Sequence, residues 1–178
     1  MKRDPLAALR LPDFRFFITA RLFMTLALQM QSVIVGWQIY QFTKNPFWLG
    51  MIGLTEAIPA IGIALIGGHV ADIIPRKKII MITGTLLVMC AATLCVFTLR
   101  DSYIIRAVGI WPVYAVVFVG GVLRAFIGPA NFAFVSQIIP RDIYPNASTW
   151  NSSAWQAGAI GGPLLIAIIY KPLGITMT

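Results

Sequence analysis

Apolar residues in this chain fall in runs of more than twenty, separated by short polar clusters. They do not follow the every-second spacing of a half-buried strand. Runs of that length predict helices that cross a membrane, because about 20 residues rising 1.5 Å each match the ~30 Å hydrocarbon core of a bilayer. Five such runs are present, at about 16–42, 47–71, 79–99, 111–139 and 148–170. The expected fold is therefore an all-α polytopic membrane protein: a tail at 1–15, a five-span domain over 16–170 and a short tail at 171–178. The connections are short and polar: Thr43-Lys44-Asn45-Pro46, the charged turn from Gly67 to Lys78, Arg100 to Gly109, and Pro140 to Asn146. Pro46 and the pair Trp111-Pro112 suit the first turn of a helix.

The polar positions inside the runs are the informative exceptions. In the first run Arg21, Thr25, Ser32 and Gly36 recur at helical spacing, and Gln31 and Gln38 repeat at seven. Such stripes face a helix interface or a watery cavity rather than lipid; hydrogen bonding between helices explains them as well as a ligand does. The second run holds Glu56, the one carboxylate well inside a span, followed by Pro59, which leaves the carbonyl of Thr55 without its helical donor. Ala60, Ala64 and Gly68 are spaced by four and offer a small-residue face. The third run has little polar content beyond threonines and is expected to meet lipid. Arg124 lies thirteen residues into the fourth run and Glu56 nine into the second, about 20 Å and 14 Å at 1.5 Å per residue, so their depths are comparable. Buried ionisable groups are costly in a membrane, which makes the two a candidate proton, cation or substrate site; a structural ion pair is the competing reading. The fifth run opens with Asn151, Ser152, Ser153 and Gln156. Gly158 and Gly162 then lie one turn apart, before Pro163, which frees the carbonyl of Ala159.

Charge orients the chain. Of 178 residues 58% are hydrophobic and only 11% charged, against roughly 25% in an average soluble domain. The net charge of +8 sits in tails and loops beside apolar runs, where anionic lipid rather than nucleic acid explains it. Eight basic residues (Lys2, Arg3, Arg10, Arg15, Arg76, Lys77, Lys78, Arg141) fall on one side and four (Lys44, Arg100, Arg106, Lys171) on the other. The positive-inside bias then puts the N-terminus in the cytoplasm and the C-terminus outside. The first run lacks a clear small-residue cleavage site and reads as a retained span. Cys90 and Cys95 lie five apart on one helix, point apart and read as apolar filler. His69 has no second ligand nearby, so no metal site and no cofactor are expected, and nothing in the pattern supports enzyme chemistry.

Several of these residues fall into motifs. Gly68-x-x-x-Asp72-x-x-x-Arg76-Lys77 resembles the loop signature between spans two and three of the major facilitator superfamily, with Ile73 and Pro75 as departures. Arg124-x-x-x-Gly128 is similar to that superfamily's intramembrane arginine motif, and Gly158-x-x-x-Gly162-Pro163 to its antiporter motif, whose later glycines are missing here. The stretch from Gly36-Trp37-Gln38 through Leu49-Gly50 to Glu56-Ala57-Ile58-Pro59 resembles the drug and siderophore exporter branch, with its enterobactin-exporter-like and macrolide-efflux-like members. The resemblance implies the first five helices of a twelve-span fold and a proton-coupled exporter of small amphipathic molecules in a bacterial inner membrane. It also implies a gating loop at Gly68, Asp72, Arg76 and Lys77, and helix packing at Gly128, Gly158, Gly162 and Pro163. A substrate or proton pathway at Glu56, Arg124, Gln31 and Asn151 is the expectation from the polar positions. The partners expected are the bilayer, the small-molecule substrate and a missing C-terminal transporter half, the chain being read as truncated; the alternative is an inert or structural membrane fragment without transport. Uptake instead of export is a weaker possibility.

The orientation is testable by labelling. Single cysteines introduced as Lys44→Cys and Lys77→Cys are expected to react with a membrane-impermeant maleimide from opposite faces of intact cells. Reaction of both from one face would refute the topology.

Overall fold

In the computed structural model residues 5–99 and 109–173 are described, with side chains to 97 in the first stretch and 169 in the second. The expected outer connection through Arg100, Asp101 and Arg106, the charges of Lys2 and Arg3, and the last five residues of the chain lie outside the described residues. Among the described residues all regular structure is helical: α1 (Pro12–Thr43), α2 (Pro46–Gly62), α3 (Ala64–Ile73), α4 (Arg76–Leu99), α5 (Trp111–Ile138) and α6 (Tyr144–Leu173), with short 3₁₀ turns at Ala8–Arg10 and Arg141–Ile143. α1, α4, α5 and α6 are each long and apolar enough to cross a bilayer, and α2 with α3 is long and apolar enough to do so as one bent pair.

Local chemistry sets the breaks. α1 stops at Lys44, whose φ of 50° is left-handed backbone. The Asn45 side chain then caps α2 by accepting from the Phe47 N–H at 2.9 Å, with Pro46 at the first helical position. The second span does not break at Pro59, which lies inside α2. The chain bends 47° at Ile63 instead, one turn later, where the Ile63 N–H still reaches the Pro59 carbonyl at 3.0 Å and the Gly67 N–H takes over the Ile63 carbonyl at 2.8 Å. The charged turn from Gly67 to Lys78 is also shorter than its sequence suggests. Only Ile74 and Pro75 leave the helices, so Gly68 and Asp72 belong to α3 and Arg76 and Lys77 to the first turn of α4. Likewise Tyr144, Pro145 and Asn146 form the first turn of α6 rather than a loop, and Pro163 leaves that helix unbroken.

The chain divides into two compact units, residues 1–35 with 135–178 and residues 36–134. In the first, α1 and α6 pack side by side in parallel: a Cβ on Gly158 would meet Thr25 Cβ at 2.7 Å and one on Gly162 would meet Gln29 Cβ at 2.6 Å, a step of four on both helices. The stretch before Phe14 is no free tail. Ala8 and Phe14 are fully buried in a cluster with Ile18, Val135, Ile139 and Ala147. Asn146 grips that stretch from both sides, its Oδ1 accepting from the Ala8 N–H at 3.1 Å and its Nδ2 donating to the Pro5 carbonyl at 2.8 Å. The Trp150 indole N–H donates to the same carbonyl at 2.9 Å.

In the second unit α5 is central. α2 and α3 run parallel to it and α4 antiparallel, and Ala71 of α3, Ile79 of α4 and Ala130 of α5 are buried together. Aromatic rings gather where α2 and α5 begin. Trp48, Trp111 and Tyr114 lie with centroids 6.1–6.3 Å apart, a spacing suited to edge-to-face packing, and the Tyr114 hydroxyl donates to the Trp48 carbonyl at 2.6 Å. Rings that are apolar with one polar tip suit a membrane–water boundary.

Asn146→Ala removes both bonds to the N-terminal stretch and is expected to lower stability by about 1–3 kcal/mol. The readout is the thermal unfolding midpoint in detergent. Thr85→Ala, which removes an exposed bond to the preceding turn, should leave that midpoint nearly unchanged.

Candidate functional site

Two charged side chains of the second unit meet between its helices. Glu56 projects from α2 and Arg124 from α5, and the structure joins them as an ion pair between Glu56 Oε1 and Arg124 Nη1. The two side chains are 24% and 28% exposed, so neither is sealed in protein nor open to bulk solvent. The guanidinium is only partly used: Nε is buried and has no hydrogen-bond partner.

What brings the pair together is the backbone approach beside it. A Cβ on Gly121 would run into the Glu56 carbonyl oxygen and lie 2.8 Å from the Pro59 ring, so α2 and α5 meet where a side chain is missing. One turn on, a Cβ on Gly67 of α3 would run into the Ala125 carbonyl oxygen. Gly121 and Ala125 are one turn apart on α5, the small-xxx-small pattern that lets membrane helices approach. These two contacts escaped the sequence reading, which weighed Gly68 and Gly128. A Cβ on either of those would meet nothing, so within the described residues neither is a packing glycine. The readable signal was the Gly120-Gly121 pair three residues before Arg124.

The remaining candidates are distributed. Gln31 is half-buried on α1 and Asn151 only 2% exposed on α6, both in the first unit. No hydrogen bond joins them among the described residues, and the Asn151 Oδ1 is buried without a donor. Gly158 and Gly162 form the α1–α6 contact described above, whereas Pro163 is exposed. Asp72 and Lys77 are exposed and Arg76 half-buried, at facing helix ends. Asp72 takes no ion pair among the described residues. The charges oppose both helix dipoles, an acid in the last turn of α3 and bases in the first turn of α4. Each such placement costs a few tenths of a kcal/mol to about 1 kcal/mol, so helix stability does not account for them. Among the described residues no group of His, Cys, Asp or Glu side chains is arranged to hold a metal ion.

Comparison with protein families gives a match over residues 3–178 to the family described as transmembrane secretion effector. Neither the comparison with curated proteins nor that with solved structures gives a match.

The role of the missing side chain at Gly121 can be measured. Gly121→Ala sets a methyl group against backbone and is expected to destabilise by about 1–3 kcal/mol, with loss of the Glu56–Arg124 contact. Gly128→Ala, which meets open space, should be neutral or slightly stabilising because Ala is the better helix former by about 1 kcal/mol. Thermal unfolding of the two variants in detergent decides it.

Proposed function

Because the chain belongs to the transmembrane secretion effector family of the major facilitator superfamily, we propose that this membrane transporter is a secondary active, proton-coupled exporter of small amphipathic molecules that works by alternating access. The observation that carries the reading is the Glu56–Arg124 ion pair between two apolar helices, α2 and α5. A neighbouring cation favours the ionised carboxylate, while a hydrocarbon environment favours the neutral acid. A carboxylate that approaches and leaves an arginine as a cavity opens and closes can therefore take up a proton on one side and release it on the other. Glu56 is the proton carrier in this scheme, and Arg124 sets its charge state.

Alternating access in such folds rocks one half against another around a midplane site. The chain here acts as the N-terminal partner, with its N-terminus in the cytoplasm of a bacterial inner membrane. Asp72, Arg76 and Lys77, whose placement costs the helices stability, are available to a facing helix end and serve gating. The exposed Asp72 carboxylate suits a helix N-terminus there. Gln31 belongs to the pathway in the first unit as a hydrogen-bonding group for a polar substrate, and the buried, undonated Asn151 Oδ1 joins it only as the cavity opens.

The test is Glu56→Gln in a full-length protein carrying this chain, reconstituted in vesicles. Export driven by a pH gradient is expected to fall at least tenfold while substrate exchange without a gradient persists. Normal export with unchanged gradient dependence would make the carboxylate structural. No flux from the unaltered protein would favour an inert membrane element.

A further inference from the structure

Pro129 lies inside α5. It has no N–H, so the carbonyl four residues before it, that of Ala125, loses its donor within the helix. Ala125 is buried, and a buried carbonyl left without a donor is costly. The neighbour that meets this carbonyl is Gly67 of α3. The site of a Cβ on Gly67 falls against the Ala125 oxygen, 3.0 Å from its carbon and 3.4 Å from Phe126 Cα. In glycine that position belongs to a hydrogen, so one Gly67 Cα–H bond is aimed at the carbonyl that Pro129 frees.

The same geometry recurs at Gly121, where the absent Cβ falls against the Glu56 oxygen and 3.1 Å from its carbon. Cα–H···O=C contacts of this kind are a regular feature of helix interfaces. The two run in opposite senses: α5 donates to α2 at Gly121 and accepts from α3 at Ala125. They also fall on the two arms of the bent pair, Glu56 before Ile63 and Gly67 after it. Arg124 stands between them on α5, three residues after Gly121 and one before Ala125.

A single close contact at Gly121 leaves α5 able to tilt and roll about that point, and the ladder that Pro129 interrupts is where the helix bends most easily. A second contact removes that freedom. The pairing of Arg124 with Glu56 is not backed by a second bond at the buried Nε, so a small roll of α5 is enough to part the two. We propose that Gly67 is a positioning residue for the Glu56–Arg124 pair: by holding the Ala125 carbonyl that Pro129 frees, it fixes the roll of α5 and keeps the guanidinium on the carboxylate. This deepens the proton-coupled reading, on which its bearing on transport rests. The experiment reads the pair itself rather than transport, so either can fail without the other.

The full chain, carrying isotope-labelled arginine, is placed in lipid nanodiscs and its guanidinium signals are recorded by NMR, those of Arg124 being the ones missing from Arg124→Lys. A guanidinium held on a carboxylate protects its Nη–H protons from exchange and gives resolved signals, which Glu56→Gln is expected to abolish. Gly67→Ala is expected to cut the same signals at least threefold. Gly68→Ala, whose Cβ meets nothing within 4 Å, should leave them intact. Pro129→Ala carries the test where Gly67→Ala fails to fold. It adds no bulk at the contact, favours the helix and draws the Ala125 carbonyl back into the ladder, so the signals are expected to fall at least twofold with no loss in the thermal unfolding midpoint. That outcome separates positioning from a structural role, which would move stability and signals together. Full Arg124 signals in a folded Gly67→Ala or in Pro129→Ala would overturn the proposal, as would signals that are the same with and without the Glu56 carboxylate.

Discussion

A glutamate and an arginine set within a membrane span each carry a desolvation cost that only the other, or water in a cavity, can offset. That constraint fixes how close α2 and α5 must come, since Glu56 has a short reach and Arg124 meets it through Nη1. The approach is possible because Gly121 has no side chain where the Glu56 carbonyl passes. The neighbouring features follow the same line. Pro59 packs beside Gly121, Gly67 lets α3 approach the Ala125 carbonyl, and the Trp48–Tyr114 bond ties the two helices where they begin. An ion pair that had to hold two helices together by itself would be a weak fastener. Here the backbone contact at Gly121 holds the helices beside the pair.

The two units solve the packing problem alike. Lipid tails are as apolar as leucine, so helices in a bilayer gain little from burying apolar area and rely on close contact. In the first unit Gly158 and Gly162 of α6 receive Thr25 and Gln29 of α1. In the second Gly121 and Gly67 play that part. Outside these seams the helices keep large apolar side chains exposed, among them Leu65, Val88 and Ile160, as a hydrocarbon solvent permits.

Polar groups at the helix ends meet two different fates. Asn146 and Trp150 use theirs to fasten the stretch from Pro5 to Phe14, which buries Ala8 and Phe14 completely. Asp72, Arg76 and Lys77 spend theirs on nothing within the described chain, and each opposes its own helix dipole. The first arrangement stabilises this chain, whereas the second costs its helices stability.

By itself the sequence determined the class of the protein, an all-helical chain with helices long and apolar enough to cross a membrane. Run length against bilayer thickness decides that, and it does not depend on tertiary contacts. It also marked Glu56 and Arg124 as exceptional, because charge inside an apolar run is visible without a structure. What it could not decide was contact. Comparable depths permit the pair, but only the rotation of α2 and α5 about their axes brings the two groups together, and that rotation is set at Gly121. Small residues at a spacing of four occur on several faces, so Gly68 and Gly128 looked as suitable for packing as Gly67 and Gly121 until the neighbouring backbones were in place. The bend at Ile63 rather than Pro59, and the docking of the first residues on Asn146, likewise rest on partners far away in sequence or on hydrogen bonds that composition does not record. Periodicity is a property of one helix; which face meets which partner is a property of the pair.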